Sequence, residues 1–192
     1  MEAKKEDRRI RRTKKLLKQS MAELMRSKNF KDITVKDITE LADLNRGTFY
    51  LHYTDTYDLL GKMENEVLTE FQGMIDRFRC EPQHESLLPV IEPVTDYIVE
   101  NEEICRALFE NKASADFLLK FKGLIEKNGT RLINEKFKNS NQQSYDYFLN
   151  FITYGLMGLI KHWFETDMEL PKSEIVRLAN NIISSAANSV LK

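Results

Sequence analysis

Residues 34–60 read TVKDITELADLNRGTFYLHYTDTYDLL, and this stretch decides the fold. Thr34 offers a hydroxyl that can cap a helix, and Asp37 supplies the reciprocal capping group three residues later. The short helix predicted to follow has these apolar residues on its inner side: Val35, Ile38, Leu41 and Ala42. Residues 43–45 form a tight connection, and the last of them is a natural cap for a third short helix over residues 46–51. Two short helices joined by such a turn have the dimensions of a helix-turn-helix, whose second helix can enter a groove about 12 Å wide.

Helices are predicted on both sides of this stretch. Apolar residues recur at helical spacing over residues 7–27, Asn29 ends that helix, and Phe30 can fold back as an apolar plug. Asp55 or Thr56 is expected to cap a long helix that runs to about residue 78. Its inner face is predicted to consist of Tyr57, Leu60, Met63, Val67 and Phe71.

The rest of the chain also has a helical pattern, with connections expected at residues 80–89, 138–144 and 166–171. The further predicted helices cover residues 90–100, 102–111, 113–137, 145–165 and 172–191, with a weak point at Asn128 and Gly129. About nine helices result, so the predicted fold class is all-α. We expect a three-helix head over residues 1–54 and a larger helical domain over residues 55–192.

The net charge of −1 conceals an uneven distribution along the chain. Residues 1–62 hold 15 Lys and Arg against 10 Asp and Glu, whereas residues 63–192 hold 14 against 20. A basic end joined to an acidic body suggests a head that binds a polyanion, although random scatter of surface charge would give a similar pattern. The run KKEDRRIRRTKK at residues 4–15 adds basic side chains just before the helix-turn-helix, where phosphate contact is the expected role.

Cysteine usage and hydropathy bear on the compartment. Cys80 and Cys105 form no metal-spaced or CxxC pattern, which fits a reducing compartment. Residues 1–18 are polar and basic, without the apolar core of a signal peptide, and the most apolar stretch, residues 148–160, is too short to span a membrane. We expect a soluble, cytoplasmic protein.

The stretch NRGTFYLHY at residues 45–53, followed by DLL at residues 58–60, resembles the signature of the tetracycline-repressor (TetR) family of bacterial transcriptional regulators. The resemblance covers roughly residues 10–60, and the remainder is similar to the family in length and helix pattern. It implies a helix-turn-helix that binds double-stranded operator DNA, with a helical domain for dimerisation and ligand binding. The favoured function is a repressor released by a small-molecule effector.

The resemblance also assigns roles to single residues. It implies that Asn45, Arg46 and Thr48 face bases and phosphates at the start of the recognition helix. The other expected DNA-binding residues are Gly47, which leaves room for the DNA, Tyr50 and His52 as phosphate contacts, and Thr34 and Lys36 at the preceding helix. Core positions are expected at Ile38, Leu41, Leu44 and Phe49. Two residues depart from the family pattern, Asp43 at a turn position that is usually Gly, and Thr56 where many members have Lys.

Catalysis and metal binding are not expected. The sequence has no Gly-rich phosphate loop and no nucleophile elbow, and neither His84 nor His162 has Cys or His neighbours at ligand spacing. No enzyme activity, no cofactor and no metal are therefore predicted.

Aromatic residues enrich the second half of the chain, where the resemblance places an effector cavity. The provisional lining is Phe109, Phe117, Phe121, Phe151 and Tyr154, although aromatic stripes more often form core. The last two helices have apolar stripes and small residues that permit close approach, so they either complete the core or form a four-helix bundle with a second copy.

Two alternatives stay open from the sequence. Helix-turn-helix chemistry does not fix the sign of regulation, so an activator or coactivator-type regulator has the same pattern. A helical ligand-binding or scaffold protein that has lost DNA binding is the alternative from another class, and Thr56 is the one feature that favours it.

Overall fold

A computed structural model describes residues 8–79, 87–136 and 142–190, and within these residues the chain forms helices and no strand. The helices are α1 (Arg8–Ser27), α2 (Val35–Leu41), α3 (Arg46–Tyr50), α4 (Thr56–Arg79), α5 (Leu88–Glu100), α6 (Glu102–Glu110), α7 (Ala115–Lys136), α8 (Gln142–Glu165) and α9 (Lys172–Val190). Short 3-10 turns lie at Phe30–Asp32 and Lys112–Ser114. The all-α prediction is confirmed. Residues 80–86 and 138–141 of the two predicted loops lie outside the described residues. The loop prediction was wrong for residues 88–89 and 142–144, which belong to α5 and α8.

Contacts between residues divide the chain into two compact units. The first comprises Met1–Glu66 and Glu102–Ala115, and the second comprises Val67–Asn101 and Asp116–Lys192. The boundary between the units therefore falls inside α4. The division of the chain after residue 54 stays a prediction.

The first unit is built around α1, which packs against both α2 and α6. Phe30 is buried as the predicted plug, and the edge of its ring meets the Tyr57 ring at 4.9 Å between centroids. The side-chain amide of Asn111 donates to the carbonyl oxygen of Met25 at 3.1 Å, which satisfies a carbonyl near the C-terminal end of α1. The fully buried side chains of this unit include Leu17, Met21, Ile38, Phe49, Leu59 and Met63.

Two predicted core residues of this unit are exposed. Tyr57, predicted on the inner face of α4, is 63% exposed because it lies in the first turn of that helix, where the Phe30 ring contacts it. Leu41 is 43% exposed because it is the last residue of α2, where the helix ends. Both predictions were wrong, since helical spacing marks an apolar stripe without fixing its limits.

The second unit contains α5, α7, α8, α9 and the second part of α4. A core cluster on α8 consists of Tyr145, Phe148, Leu149 and Ile152, and partly buried residues of α8 and α9 pack against it. Helix α9 also contacts α5, and the ammonium group of Lys172 is hydrogen-bonded to the carboxylate of Asp96.

The predicted weak point at Asn128 and Gly129 was wrong, because α7 continues through it. Asn128 is buried. Its side-chain nitrogen donates to the backbone carbonyl of Leu124 at 2.8 Å and to the side-chain oxygen of Gln72 at 3.2 Å. A methyl group at Gly129 would lie 2.5 Å from Cδ2 of Leu149, so glycine permits close approach of α7 and α8. Tertiary contacts thus compensate for the low intrinsic helix propensity of this pair.

The predicted turn before the last helix is confirmed. Asp167 and Met168 have positive φ angles of 48° and 55°, and the amide of Met168 donates to the carbonyl of Trp163 at 2.8 Å, which ends α8. Within the described ranges, no helix is both long and apolar enough to cross a membrane.

Candidate nucleic-acid interface and ligand cavity

A reciprocal capping box fixes the start of α2. The backbone amide of Asp37 donates to the Thr34 hydroxyl at 3.2 Å, and the backbone amide of Thr34 donates to the Asp37 carboxylate at 2.9 Å. Hydrogen bonds from the Thr34 hydroxyl and amide, with a further one from Lys28, lower the pKa of Asp37 to about 2. The cap predicted from sequence is confirmed, and it holds Thr34 and Lys36 at the beginning of the helix.

The turn between α2 and α3 depends on Asp43. Its φ of 52° lies in the left-handed region, which Asp tolerates better than most residues other than Gly and Asn. The amide of Leu44 then donates to the carbonyl of Thr39 at 2.9 Å. Asn45 caps α3, because its side-chain oxygen accepts from the amide of Gly47 at 2.8 Å. Asp43 therefore fits the usual glycine position, and the Asn45 cap is confirmed.

Core and surface separate cleanly along the helix-turn-helix. Ile38 and Phe49 are fully buried and Tyr53 nearly so. The residues expected to bind DNA are all accessible to solvent: Thr34, Lys36, Asn45, Arg46, Gly47 and Tyr50 are exposed, and Thr48 and His52 are half-buried. Among the described residues the Arg46 guanidinium has no ion-pair partner, so its charge is available to a ligand. These residues thus lie in two places: at the start of α2, and along α3 with its cap and the residues just after it. All of them can be reached by solvent.

Lys62 of α4 holds the end of the helix-turn-helix against that helix, a role that was not predicted from the sequence. Its ammonium group donates to the carbonyl oxygen of His52 at 3.0 Å and to the Asp58 carboxylate at 2.9 Å, and it lies over the Tyr53 ring. Asp58 also accepts from the amide of Thr54, and these two hydrogen bonds, with Lys62 the larger cause, lower its pKa. The i, i+4 spacing of Asp58 and Lys62 was the available signal.

Helix α1 begins with a concentration of positive charge. Arg8, Arg9, Arg11 and Arg12 are exposed, and the first turn contains no acidic residue. Four exposed arginines within five residues form a basic surface that would attract an anionic partner.

The second unit contains a cavity of about 680 Å³, which is within the usual size range of small-molecule sites. Its walls come from α4, α5, α7, α8 and α9, and they are mainly apolar. Phe71, Phe121 and Trp163 supply aromatic walls, with the Phe71 and Phe121 rings 5.7 Å apart. Trp163 is the single tryptophan of the chain.

The structure separates the residues that the sequence grouped as cavity lining. Phe121 is in the lining, and the Phe117 ring stacks on it at 6.0 Å between centroids, from a buried position behind it. Phe109 is buried in the first unit. Phe151 and Tyr154 are 69% and 55% exposed, on the side of α8 opposite to its buried residues, and do not line the cavity.

The family model of a transcriptional regulator C-terminal region (TetR_C_8) matches residues 85–185. The chain belongs to the TetR family of transcriptional regulators. The match covers α5 to most of α9, which provide most of the cavity walls. A comparison with curated proteins gives no significant match.

Solved structures of other regulators share the fold over most of this TetR-family chain. The fatty acid degradation regulator FadR from Bacillus halodurans has 15% identity and a TM-score of 0.70, with 94% of this chain and 96% of that chain covered. The structure of a SmeT–triclosan complex has 12% identity and a TM-score of 0.68, with 94% and 92% covered. NalD, the secondary repressor of the MexAB-OprM multidrug efflux pump in Pseudomonas aeruginosa, has 14% identity and a TM-score of 0.61, with 95% and 98% covered. At such identities these likenesses show a common fold.

Proposed function

We propose that this TetR-family protein is a homodimeric repressor that binds operator DNA through α2 and α3 and is released by a small-molecule effector. The observation that carries the proposal is the accessible row of polar and basic residues on α3 and its cap, above a fully buried Phe49. Arg46 can read a guanine edge in the major groove, while Tyr50 and His52 bind phosphate. Phosphate contacts from the Arg-rich start of α1 would add affinity without sequence preference.

The exposed apolar faces of α8 and α9 support the proposed dimer. Tyr147, Phe151 and Tyr154 are 80%, 69% and 55% exposed on α8, although the opposite face of this helix is buried in the core. On α9, Leu178 and Ile182 are also exposed. A helix that has an exposed apolar face as well as a buried one offers surface to a second partner. A second copy, packed as a four-helix bundle through the exposed Gly155 and Gly158, would bury this surface.

The cavity of the second unit supports the proposed effector site. Apolar walls with a few polar groups are characteristic of small-molecule sites. The related-fold SmeT structure is a complex with triclosan, which shows that a small molecule binds that protein. An effector bound in this cavity would lower operator affinity through the coupling free energy between the two sites. A coupling of about 1.4 kcal/mol changes operator affinity tenfold.

The test is to titrate labelled DNA from upstream of the protein's own coding sequence with the protein. Binding is measured by fluorescence anisotropy at several salt concentrations. Affinity should fall steeply with salt, because many contacts are to phosphate. Arg46→Ala should cost about 1–3 kcal/mol and relax base preference, whereas Tyr50→Phe and His52→Ala should weaken binding to all sequences alike. Lys161→Ala, which removes an exposed charge on α8, is the control and should leave binding unchanged.

Two outcomes would contradict the proposal in different ways. A uniform loss from Arg46→Ala, without change in preference, would remove Arg46 from the base-reading residues. Absence of binding to any duplex at low salt would instead favour the helical ligand-binding or scaffold protein. The sign of regulation is measured separately, since deletion of the gene should raise expression from the bound promoter if the protein is a repressor and lower it if it is an activator.

A further inference from the structure

The cavity of the second unit has no charged side chain among the lining residues that the structure describes: none of them is Asp, Glu, Lys, Arg or His. Its walls are formed by aliphatic and aromatic side chains such as Ile98, Phe121, Ile152 and Trp163. A buried charge without a partner is costly, so a charged group placed inside would lose its hydration without compensation. The chemistry of the walls therefore selects a neutral ligand.

Among the described lining residues, four have polar side chains: Thr95, Asn128, Ser184 and Asn188. Ser184 and Asn188 lie on α9 and are half-buried and exposed, so water can satisfy their polar atoms. Thr95 and Asn128 are only 4% and 3% exposed. These two are thus the polar groups that a buried ligand would meet.

Asn128 lines the cavity and has a side-chain oxygen that can accept a further hydrogen bond. Its side-chain nitrogen donates to the carbonyl oxygen of Leu124 at 2.8 Å and to the side-chain oxygen of Gln72 at 3.2 Å, which uses both N–H bonds. Because the Leu124 carbonyl can only accept, the orientation of the Asn128 amide is fixed. The Asn128 oxygen receives one long contact from Gln72, at 3.5 Å, and keeps capacity for a stronger donor.

Thr95 has the same polarity. Its hydroxyl donates to the carbonyl oxygen of Ile91 at 2.6 Å, so its hydrogen is used and its oxygen lone pairs are left to accept. Among the described lining residues, the two buried polar side chains thus already use their donors, and their oxygens can still accept. We propose that the ligand of this cavity is a neutral molecule with an apolar alkyl or aryl body and a hydroxyl group that donates a hydrogen bond, that is, a lipophilic alcohol or phenol. This inference rests on the proposed function, in which the same cavity is the effector site.

Three matched compounds test the ligand class on the full chain without DNA. Para-octylphenol is neutral at pH 7 and donates, para-octylanisole has the same body but no donor, and para-octylbenzoate is an anion. Binding is followed by the fluorescence of Trp163, the single tryptophan, which lines the cavity and whose indole nitrogen donates to Leu170. Para-octylphenol should bind roughly fivefold more tightly than para-octylanisole, the value of one hydrogen bond, and at least about tenfold more tightly than para-octylbenzoate.

Two variants locate the acceptors. Thr95→Val and Asn128→Leu should lower the affinity for para-octylphenol until it approaches the affinity for para-octylanisole. The affinity for para-octylanisole itself should not change. The control is Thr153→Val, which makes the same isosteric change at a buried position of α8 that does not line the cavity. Since Thr95→Val barely alters volume, it remains informative even if Asn128→Leu fails to fold.

Equal affinities for the phenol and the anisole, or tighter binding of the benzoate, would overturn the inference. Affinities for the phenol that neither variant changes would overturn it as well. The proposed function fails by a different result. If para-octylphenol binds in the expected order but leaves operator affinity unchanged, the ligand class holds and the effector role does not.

Discussion

Gly47 is a glycine that the protein itself does not require. It lies in α3 with an ordinary helical φ, and a methyl group there would meet only the Asn45 side-chain oxygen, at 3.4 Å. Glycine inside a helix costs about 1 kcal/mol relative to alanine. Since neither backbone geometry nor packing accounts for this cost, close approach of DNA to the α3 backbone is the reason we infer.

Gly47→Ala should therefore separate stability from binding. We expect a higher melting temperature, by the equivalent of about 0.5–1 kcal/mol, together with an operator affinity lowered about tenfold by the methyl group. Gly61→Ala in α4 is the matched control, because a methyl group there has nothing within 4 Å. It should raise stability and leave operator affinity unchanged. Unchanged operator affinity in both variants would show that DNA does not approach Gly47.

Asp37 makes the stability of the helix-turn-helix head depend on pH in the acid range. Its folded pKa of about 2 is below the ordinary 3.8, so the capping box contributes stability above pH 3.8 and loses it as the pH falls toward about 2. An NMR titration of the side-chain carboxyl carbon should show the low value. Thr34→Ala should return it toward 3.8, because the Thr34 hydroxyl is its largest cause. An unshifted pKa in the wild type would mean that the box is open in solution.

At the scale of helices and turns, local hydrogen bonding made the head predictable. Thr34 and Asn45 begin helices because their side chains bond to amides two or three residues away, which sequence alone displays. In the second unit, tertiary contacts decide which apolar residues are buried. Helix α8 is apolar on both faces, so its pattern could not tell the buried Phe148 and Ile152 from the exposed Phe151 and Tyr154. The cavity lining was therefore beyond sequence reasoning, except for Phe121.

The contact between α7 and α8 gives a prediction at this scale. Gly129→Ala and Gly123→Ala gain the same intrinsic helix propensity in the same helix. A methyl group at residue 123 has nothing within 4 Å, whereas at residue 129 it would overlap Leu149, which is held in the α8 core cluster. We expect Gly129→Ala to be about 1–2 kcal/mol less stable than Gly123→Ala in urea denaturation. Equal stabilities would show that Leu149 moves aside freely.

For the whole molecule, the proposed dimer would explain both the uneven charge and the exposed apolar faces. In that dimer the acidic bodies would hold two basic heads together, so that they bind two half-sites about one helical turn apart, roughly 34–36 Å. The sequence left open whether the apolar stripes of the last two helices complete the core or form a dimer, and the structure places Leu149 and Ile152 in the core cluster. The exposed residues Tyr147, Phe151 and Ile182 are the ones left for a partner.

Ile182→Glu should dissociate this dimer. The residue is 47% exposed in the single subunit, so a glutamate there is tolerated by the monomer fold, but in the proposed interface it becomes a buried charge that occurs in both copies. We expect the dissociation constant to rise at least about a hundredfold, the equivalent of about 3 kcal/mol, in light scattering across a concentration series. Leu119→Glu, at an exposed apolar residue of α7, is the matched control and should stay dimeric. Operator affinity should fall with Ile182→Glu alone, since a monomer holds one half-site. A wild-type chain that is folded and monomeric at micromolar concentration would remove the dimer, and with it the expectation of a palindromic operator.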